Sequence, residues 1–347
     1  MLVGFVGCTS LGVWWAAPGR ETLARIWHEL VSLGWGNALI LLGMAVVVLV
    51  AEMIRLWVFG RALGVHVGVR ASFDASIAND LFTWISPGGM LGEPVSVYVM
   101  ARRGVPVDAS LVISFGKFAT SFAFIMGLAG VLLGLGYGPP IAAWAIVSIV
   151  VTIGFGVVLV GSFVVGAAWP ETSLRWIGHG EQWLERRPLL HGPRARRAIT
   201  AGAGIARRSV ERMAKFRAAG VRGWLAMCAS HVLYYGAYVG LVVVLAHMFG
   251  ARAIGPIVPL AIIYLAFTNI APAPGIAEAG AGVFFGHLLP DGGAFAVVLL
   301  YRALTAYLQI GLALTYLPLI GALRSILESA QPGRDPRHDQ VHPRSDD

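Results

Sequence analysis

The chain is short of charge. Only 13% of its 347 residues are Asp, Glu, Lys or Arg, about half the roughly 25% usual in a soluble domain. It has two cysteines, Cys8 and Cys228, both in apolar runs. That excludes a disulfide framework and a zinc spacing and leaves them as small packing residues. It lacks a P-loop, a G-x-S-x-G elbow, a dinucleotide fingerprint and an H-E-x-x-H pair, so the common nucleotide, hydrolase and zinc-protease chemistries have no anchor. His231, His247 and His287 are scattered without ligand spacing. No metal site and no cofactor are expected. Strict apolar–polar alternation is also missing, which argues against a membrane barrel.

What is present is apolar sequence in long runs. Hydrophobic residues make up 57% of the chain and the mean hydropathy is +0.74. Bilayer-spanning backbone must satisfy its own hydrogen bonds, so continuous apolar runs imply helices. The expected fold is an all-α polytopic membrane bundle of about seven or eight spans. One membrane domain covers residues 1–327, and a polar, Pro-, Arg- and Asp-rich tail over 328–347 is expected to be disordered.

The net charge of +8 has one source. Residues 169–222 hold twelve Lys or Arg and four Glu, an excess equal to that of the whole chain. Elsewhere acids and bases balance. Because this stretch joins two apolar runs, it reads as a cytoplasmic connection under the positive-inside rule and not as a nucleic-acid surface. Leu174, Trp176, Ile177, Trp183 and Leu184 recur at helical spacing among its arginines. An amphipathic helix on an anionic leaflet and a solvated topological loop both fit.

Apolar runs at 2–17, 36–59, 109–135, 141–168, 223–249 and 294–323 are the expected full spans, with a shorter one at 254–270. The first lacks the basic n-region of a signal peptide. With the basic connection inside, the uncharged turn at 136–140 is outside and both termini are cytoplasmic. The expected location is the bacterial inner membrane.

Two stretches break this pattern in the same way. Pro87-Gly88-Gly89-Met90-Leu91-Gly92-Glu93 and Pro272-Ala273-Pro274-Gly275-Ile276-Ala277-Glu278 each run from a proline to a glutamate six residues later. About 20 apolar residues are needed to cross a bilayer, and neither break has them on both sides. Each is expected to be a pair of half-helices, or a re-entrant hairpin, the first entering from the cytoplasmic side. Proline removes a backbone donor and glycine tolerates the break. A new helix beginning near each glutamate presents a positive dipole end to the acid or to an anionic headgroup. Acids inside a membrane are costly and mark cavities or cation partners.

Lys117 and Arg302 each lie about eight residues inside their spans. They either snorkel to the interface or pair with the buried acids or a lipid phosphate, which suits the planar fork of arginine. Asn79, Asp80 and Asn269 precede the breaks and can satisfy freed backbone groups. Glu52 and Arg55, three apart on one helix, read as a local pair.

These residues carry a family resemblance. Arg55-Leu56, Arg61-Ala62-Leu63-Gly64, Pro87-Gly88-Gly89, Gly92-Glu93-Pro94 and Arg102-Arg103-Gly104 resemble the first signature of the flippase-like family named for the transmembrane region of lysylphosphatidylglycerol synthase, the multiple peptide resistance factor. Pro272-Ala273-Pro274-Gly275, Glu278 and Arg302 resemble the second. The resemblance runs from about residue 10 to 325. Departures are Ser96, where many members have arginine, Ile276, where many have glycine, and Lys117, where many have arginine. The resemblance implies a helical bundle with re-entrant elements that moves amino-acylated, glycosylated or other lipids between leaflets. It carries over Glu93, Glu278 and Arg302. No segment is long and polar enough for the synthase's soluble aminoacyl-transferase domain, so no enzyme activity is expected from the resemblance.

The expectation is therefore a lipid translocator. Glu93 and Glu278 line its site, Lys117, Arg302 and Arg102 meet an anionic or phosphate-bearing headgroup, and Asn79 stands at the first break. A lipid-modifying enzyme is a candidate partner. Three other classes stay open. One is a transferase on lipid carriers, with Glu21 and Glu29 as its acids. The others are an accessory subunit docking through the basic connection and an ion-coupled permease.

Overall fold

The computed structural model describes residues 34–86, 91–138, 160–187, 192–270, 276–289 and 292–319, with isolated positions 28, 31, 154, 157, 158 and 321. The expected first span at 2–17, most of the span at 141–168, both proline breaks and the polar tail lie outside the described residues.

The described chain is helical throughout. In order come α1 (Gly34–Ala62), α2 (Val69–Ile85), α3 (Gly92–Arg102), α4 (Val107–Gly134), α5 (Pro170–Glu185), α6 (Pro193–Ala218), α7 (Gly220–Met248), α8 (Ile257–Ile270), α9 (Ile276–Phe285), α10 (Gly293–Arg302) and α11 (Leu308–Leu319). A π-helical turn, Ala303–Tyr307, joins α10 to α11. Among the described residues four helices are long and apolar enough to cross a membrane: Gly34–Ala62, Val107–Gly134, Gly220–Met248 and Gly293–Tyr316.

Local sequence explains where these helices stop. After α1 the chain reverses at Gly64, whose φ of 68° favours a residue without a Cβ. Val65 N–H closes the end on the Gly60 carbonyl at 2.9 Å. Gly104, φ 88°, ends α3 in the same way, with Val105 N–H on the Met100 carbonyl at 3.1 Å. Pro94 falls in the first turn of α3, where its missing N–H has no intrahelical partner to lose.

α2 and α3 pack on each other as a helical hairpin. At 17 and 11 residues each is shorter than the roughly 20 needed to cross. Their approach is set at Gly92: a Cβ built there would fall on the Thr83 hydroxyl and lie 3.0 Å from the Asn79 carbonyl. α8 and α9 pack together similarly, with Tyr264 edge-on to Phe284 and Phe285 at 5.6 Å.

Two apolar cores flank the centre. One joins α7, α8, α9 and α10 to the later half of α4, through residues such as Ile125, Leu241, Tyr264, Phe285 and Val297. The other joins the end of α1 to α2, α3 and the start of α4, through Leu56, Phe59, Ala75, Met100 and Ile113. α6 belongs to the second core: Phe216 is fully buried against Phe59 and Phe163. The Arg212 guanidinium also pairs with Asp108 in the first turn of α4. The end of α1, the open end of the α2–α3 hairpin, the start of α4 and the end of α6 thus share one side of the molecule.

Candidate functional site

Between the two cores lies a set of charges from three helices, all buried except Glu93, which is partly exposed. Glu52 on α1 accepts from Arg55 Nη1 at 2.8 Å and pairs through its other oxygen with Lys117 Nζ of α4. Lys117 reaches Glu93 Oε1 of α3 at 3.3 Å. One ammonium therefore bridges two carboxylates, and the four charges sum to zero. Lys117 is 3% exposed, which rules out snorkelling for it. Buried ions persist where they are paired and hydrogen-bonded.

The cluster continues into neutral polar groups. Arg55 Nη2 donates to Ser121 Oγ at 2.8 Å, and Ser121 exchanges a second hydrogen bond of 2.8 Å with the Tyr235 hydroxyl. The Arg55 guanidinium lies 3.9 Å from the ring centre of Tyr234, a cation–π contact. Thr120 Oγ1 meets His231 Nε2 at 2.9 Å. With its amide nitrogen turned toward Asp80, Gln309 donates to the Oδ2 of that residue at 3.2 Å. Ser110, Ser114, Lys117 and Ser121 recur every three or four residues on α4 and are all buried, so that helix turns a continuous polar stripe inward.

These side chains sit at one level. Glu52 is ten residues before Ala62, Lys117 ten after Val107, Glu93 nine before Arg102 and Asp80 eleven after Val69. At about 1.5 Å per residue, each lies some 14–16 Å from the shared helix ends.

Glu93 stands in the first turn of α3, where the helix dipole favours a carboxylate. Its Oε2 is buried and has no donor among the described residues. The hydroxyls of Ser96 and Ser114 and the Asn79 amide nitrogen are likewise buried without a hydrogen-bond partner among the described residues. These are acceptors and donors that water or a polar ligand can complete.

The structure places the expected residues unevenly. Glu93 and Lys117 come together. Asn79 lies on α2 facing the start of α3: its side-chain oxygen accepts from Thr83 at 3.3 Å and its carbonyl borders Gly92. Arg302 is 1% exposed and stacks over Trp84, near the end of α2, at 4.3 Å. The last span thus touches the tip of the first hairpin. Arg102 does not join the cluster. It is exposed at the far end of α3, and its neighbour Arg103 turns instead to Asp74, whose other oxygen accepts from Tyr316 at 2.8 Å. Glu278 lies in the first turn of α9. Its side chain, that of Asn269, and Pro87, Gly88, Gly89, Pro272, Pro274 and Gly275 lie outside the described residues.

The sequence reading missed the reach of Glu52 and Arg55. As a local pair they looked self-sufficient, yet each also bonds to α4. Their depth in α1, counted back from Arg61 and Gly64, was the available signal.

Residues 1–313 match the family described as the lysylphosphatidylglycerol synthase TM region. The chain belongs to this family. Membership and the apolar helices together make it a membrane protein related to lipid handling. No curated protein and no solved structure matches it.

Proposed function

We propose that this member of the lysylphosphatidylglycerol synthase TM family is a lipid translocator of the bacterial inner membrane. It moves a lipid with a phosphate-bearing headgroup between leaflets. The observation that carries the reading is the neutral set of buried ion pairs, Glu52–Arg55 and Glu52–Lys117–Glu93, held at one level at the tip of a broken helical hairpin.

The level matters because a hydrocarbon core is about 30 Å thick, so some 15 Å from a boundary is its middle. On this reading the α2–α3 hairpin is re-entrant and the bundle has seven or eight crossings, with α8–α9 as the second broken element. Substrate sites between such elements near the midplane are a recurrent transporter design.

The chemistry follows from the pairing. A phosphate arriving beside Glu93 competes with that carboxylate for Lys117. Glu93 then turns its charge toward water or a cationic portion of the headgroup. Arg302, stacked on Trp84, supplies a second cation close to the same hairpin. The cluster thus offers an anion a partner at the midplane without a net charge having to be buried beforehand, which lowers the cost of passage. Rocking of the two broken elements would expose the site to either leaflet in turn.

The test is leaflet exchange of fluorescent phospholipids in vesicles holding the purified protein. Glu93→Gln with Glu278→Gln is expected to abolish protein-dependent exchange while leaving the protein folded. Unchanged exchange in that double variant overturns the proposal.

A further inference from the structure

The basic connection carries a charged and aromatic surface that is separate from the buried cluster. α5 and α6 pack on each other. They join through Arg207 of α6 and Glu181 of α5. Chain continuity fixes where they lie. Helical residues 160–168 lead into α5 through Trp169 alone, and Ala219 alone separates α6 from the membrane-length helix α7. Arg212 and Phe216 hold the end of α6 against the starts of α4 and α7, with Met213 lying against Gly166. The pair is therefore held where spans begin and end.

Its outer surface has two parts. Trp176 and Trp183, seven residues apart, share one face of α5, and Trp169 immediately precedes the helix; the three are 63%, 56% and 60% exposed. Three large indoles left open at regular spacing are what an interfacial helix presents to the headgroup–acyl boundary. Arg187 lies over Trp183 at 4.3 Å, which places a cation beside that face. On α6, Arg196, Arg197, Thr200, Gly204, Ile205 and Arg208 line an open cleft of about 610 Å³. Arg196, Thr200, Gly204 and Arg208 follow each other every four residues. They give a row with Arg196 and Arg208 at its ends, about 18 Å apart at the helical rise, and two small residues, Thr200 and Gly204, between, so each end is open to a separate phosphate. These three arginines are exposed.

We propose that this α5–α6 face binds anionic phospholipid of the adjoining leaflet. The tryptophans seat in the interface and Arg196, Arg197 and Arg208 hold lipid phosphates. The charge of the surface selects this occupant: the whole net excess of +8 lies in this connection, and arginine forks fit phosphate oxygens. The site is independent of the translocation reading, since it shares none of its residues.

Amide hydrogen exchange on the full chain tests it, in nanodiscs of phosphatidylcholine alone or mixed with phosphatidylglycerol. Each arginine near an anionic surface is worth about fivefold, so up to about a hundredfold slower exchange over residues 193–208 is expected in the mixed discs. High salt should shrink the difference. Arg196→Gln, Arg197→Gln and Arg208→Gln together should erase it, with exchange in α7 unchanged as the control for folding. Inorganic phosphate added to phosphatidylcholine discs should slow nothing. Equal exchange in both disc types overturns the proposal, as does a difference that survives in the triple variant. Protection by phosphate alone would assign the cleft to a soluble anion and overturn it too.

Discussion

Replacing Lys117 by methionine tests whether the buried charges act as one balanced unit. Methionine keeps much of the length and removes only the ammonium. Arg55 still pairs with Glu52 at 2.8 Å, so the carboxylate left without a cation is Glu93. At 3.3 Å, and with an effective dielectric of about 20, the lost attraction is about 5 kcal/mol. Breaking a buried ion pair by removing one partner costs a similar amount in other proteins, about 3–5 kcal/mol. Glu93→Gln alone should cost less, because Lys117 keeps Glu52 as partner. The double variant, Lys117→Met with Glu93→Gln, restores neutrality, with Arg55 opposite Glu52. It should therefore be more stable than Lys117→Met alone by at least about 2 kcal/mol, a coupling typical of residues in contact. Reversible unfolding of the purified protein in mixed micelles, followed by tryptophan fluorescence, reads all four states. If the two substitutions add within about 0.5 kcal/mol, as distant sites do, the charges are not coupled and the balance argument fails.

Three further outcomes follow from packing. Gly92→Ala should destabilise by about 1–3 kcal/mol, as overpacking does, because its Cβ falls on the Thr83 hydroxyl; Thr83→Ala should recover part of the loss in the same unfolding measurement. Asp108→Asn, which weakens the tie to Arg212, should speed amide exchange in the last turns of α6 while α1 exchanges as before. Tyr316→Phe removes one donor to Asp74 but leaves Arg103 in place, so it should cost only about 0.5–1.5 kcal/mol, whereas Asp74→Ala, which strands both partners, should cost more.

The helical membrane class was legible because apolar runs cannot be read another way in this composition. That the buried acids meet buried cations was legible as one option, since such groups inside apolar sequence have few other fates, but the choice of Glu93 for Lys117 was not. Sequence spacing could not exclude snorkelling for Lys117; its burial against Glu52 on a neighbouring helix does that. Arg302 met an aromatic ring, Trp84, in a helix more than two hundred positions away, and no local pattern encodes such a contact. Arg102 was an expected headgroup contact, but helix rotation separates it from Arg103: Arg103 turns to Asp74 and Arg102 to the exterior. The basic connection showed its charge in sequence but not its docking, which depends on Asp108 and Phe59 far upstream.

The neutrality of the central cluster also bears on how tightly a lipid can bind there. A site of unpaired cations would hold a phosphate strongly and release it slowly. On the proposed function, an arriving phosphate would gain Lys117 only as Glu93 gives it up, so one ion pair would be traded for another. The net gain would then be small, and a small gain would let the headgroup leave toward either leaflet. Glu93 has an oxygen without a donor among the described residues, so it is the member of the cluster whose bonds are least complete. Of the two carboxylates that share the ammonium, Glu52 is the fixed one, since Arg55 holds it within its own helix. Removing Arg55 should then blur this distinction: Arg55→Met leaves Glu52 dependent on Lys117, tightens that pair, and frees Glu93. Lipid exchange in that variant should fall even though Lys117, the ion-pair partner of Glu93, is retained.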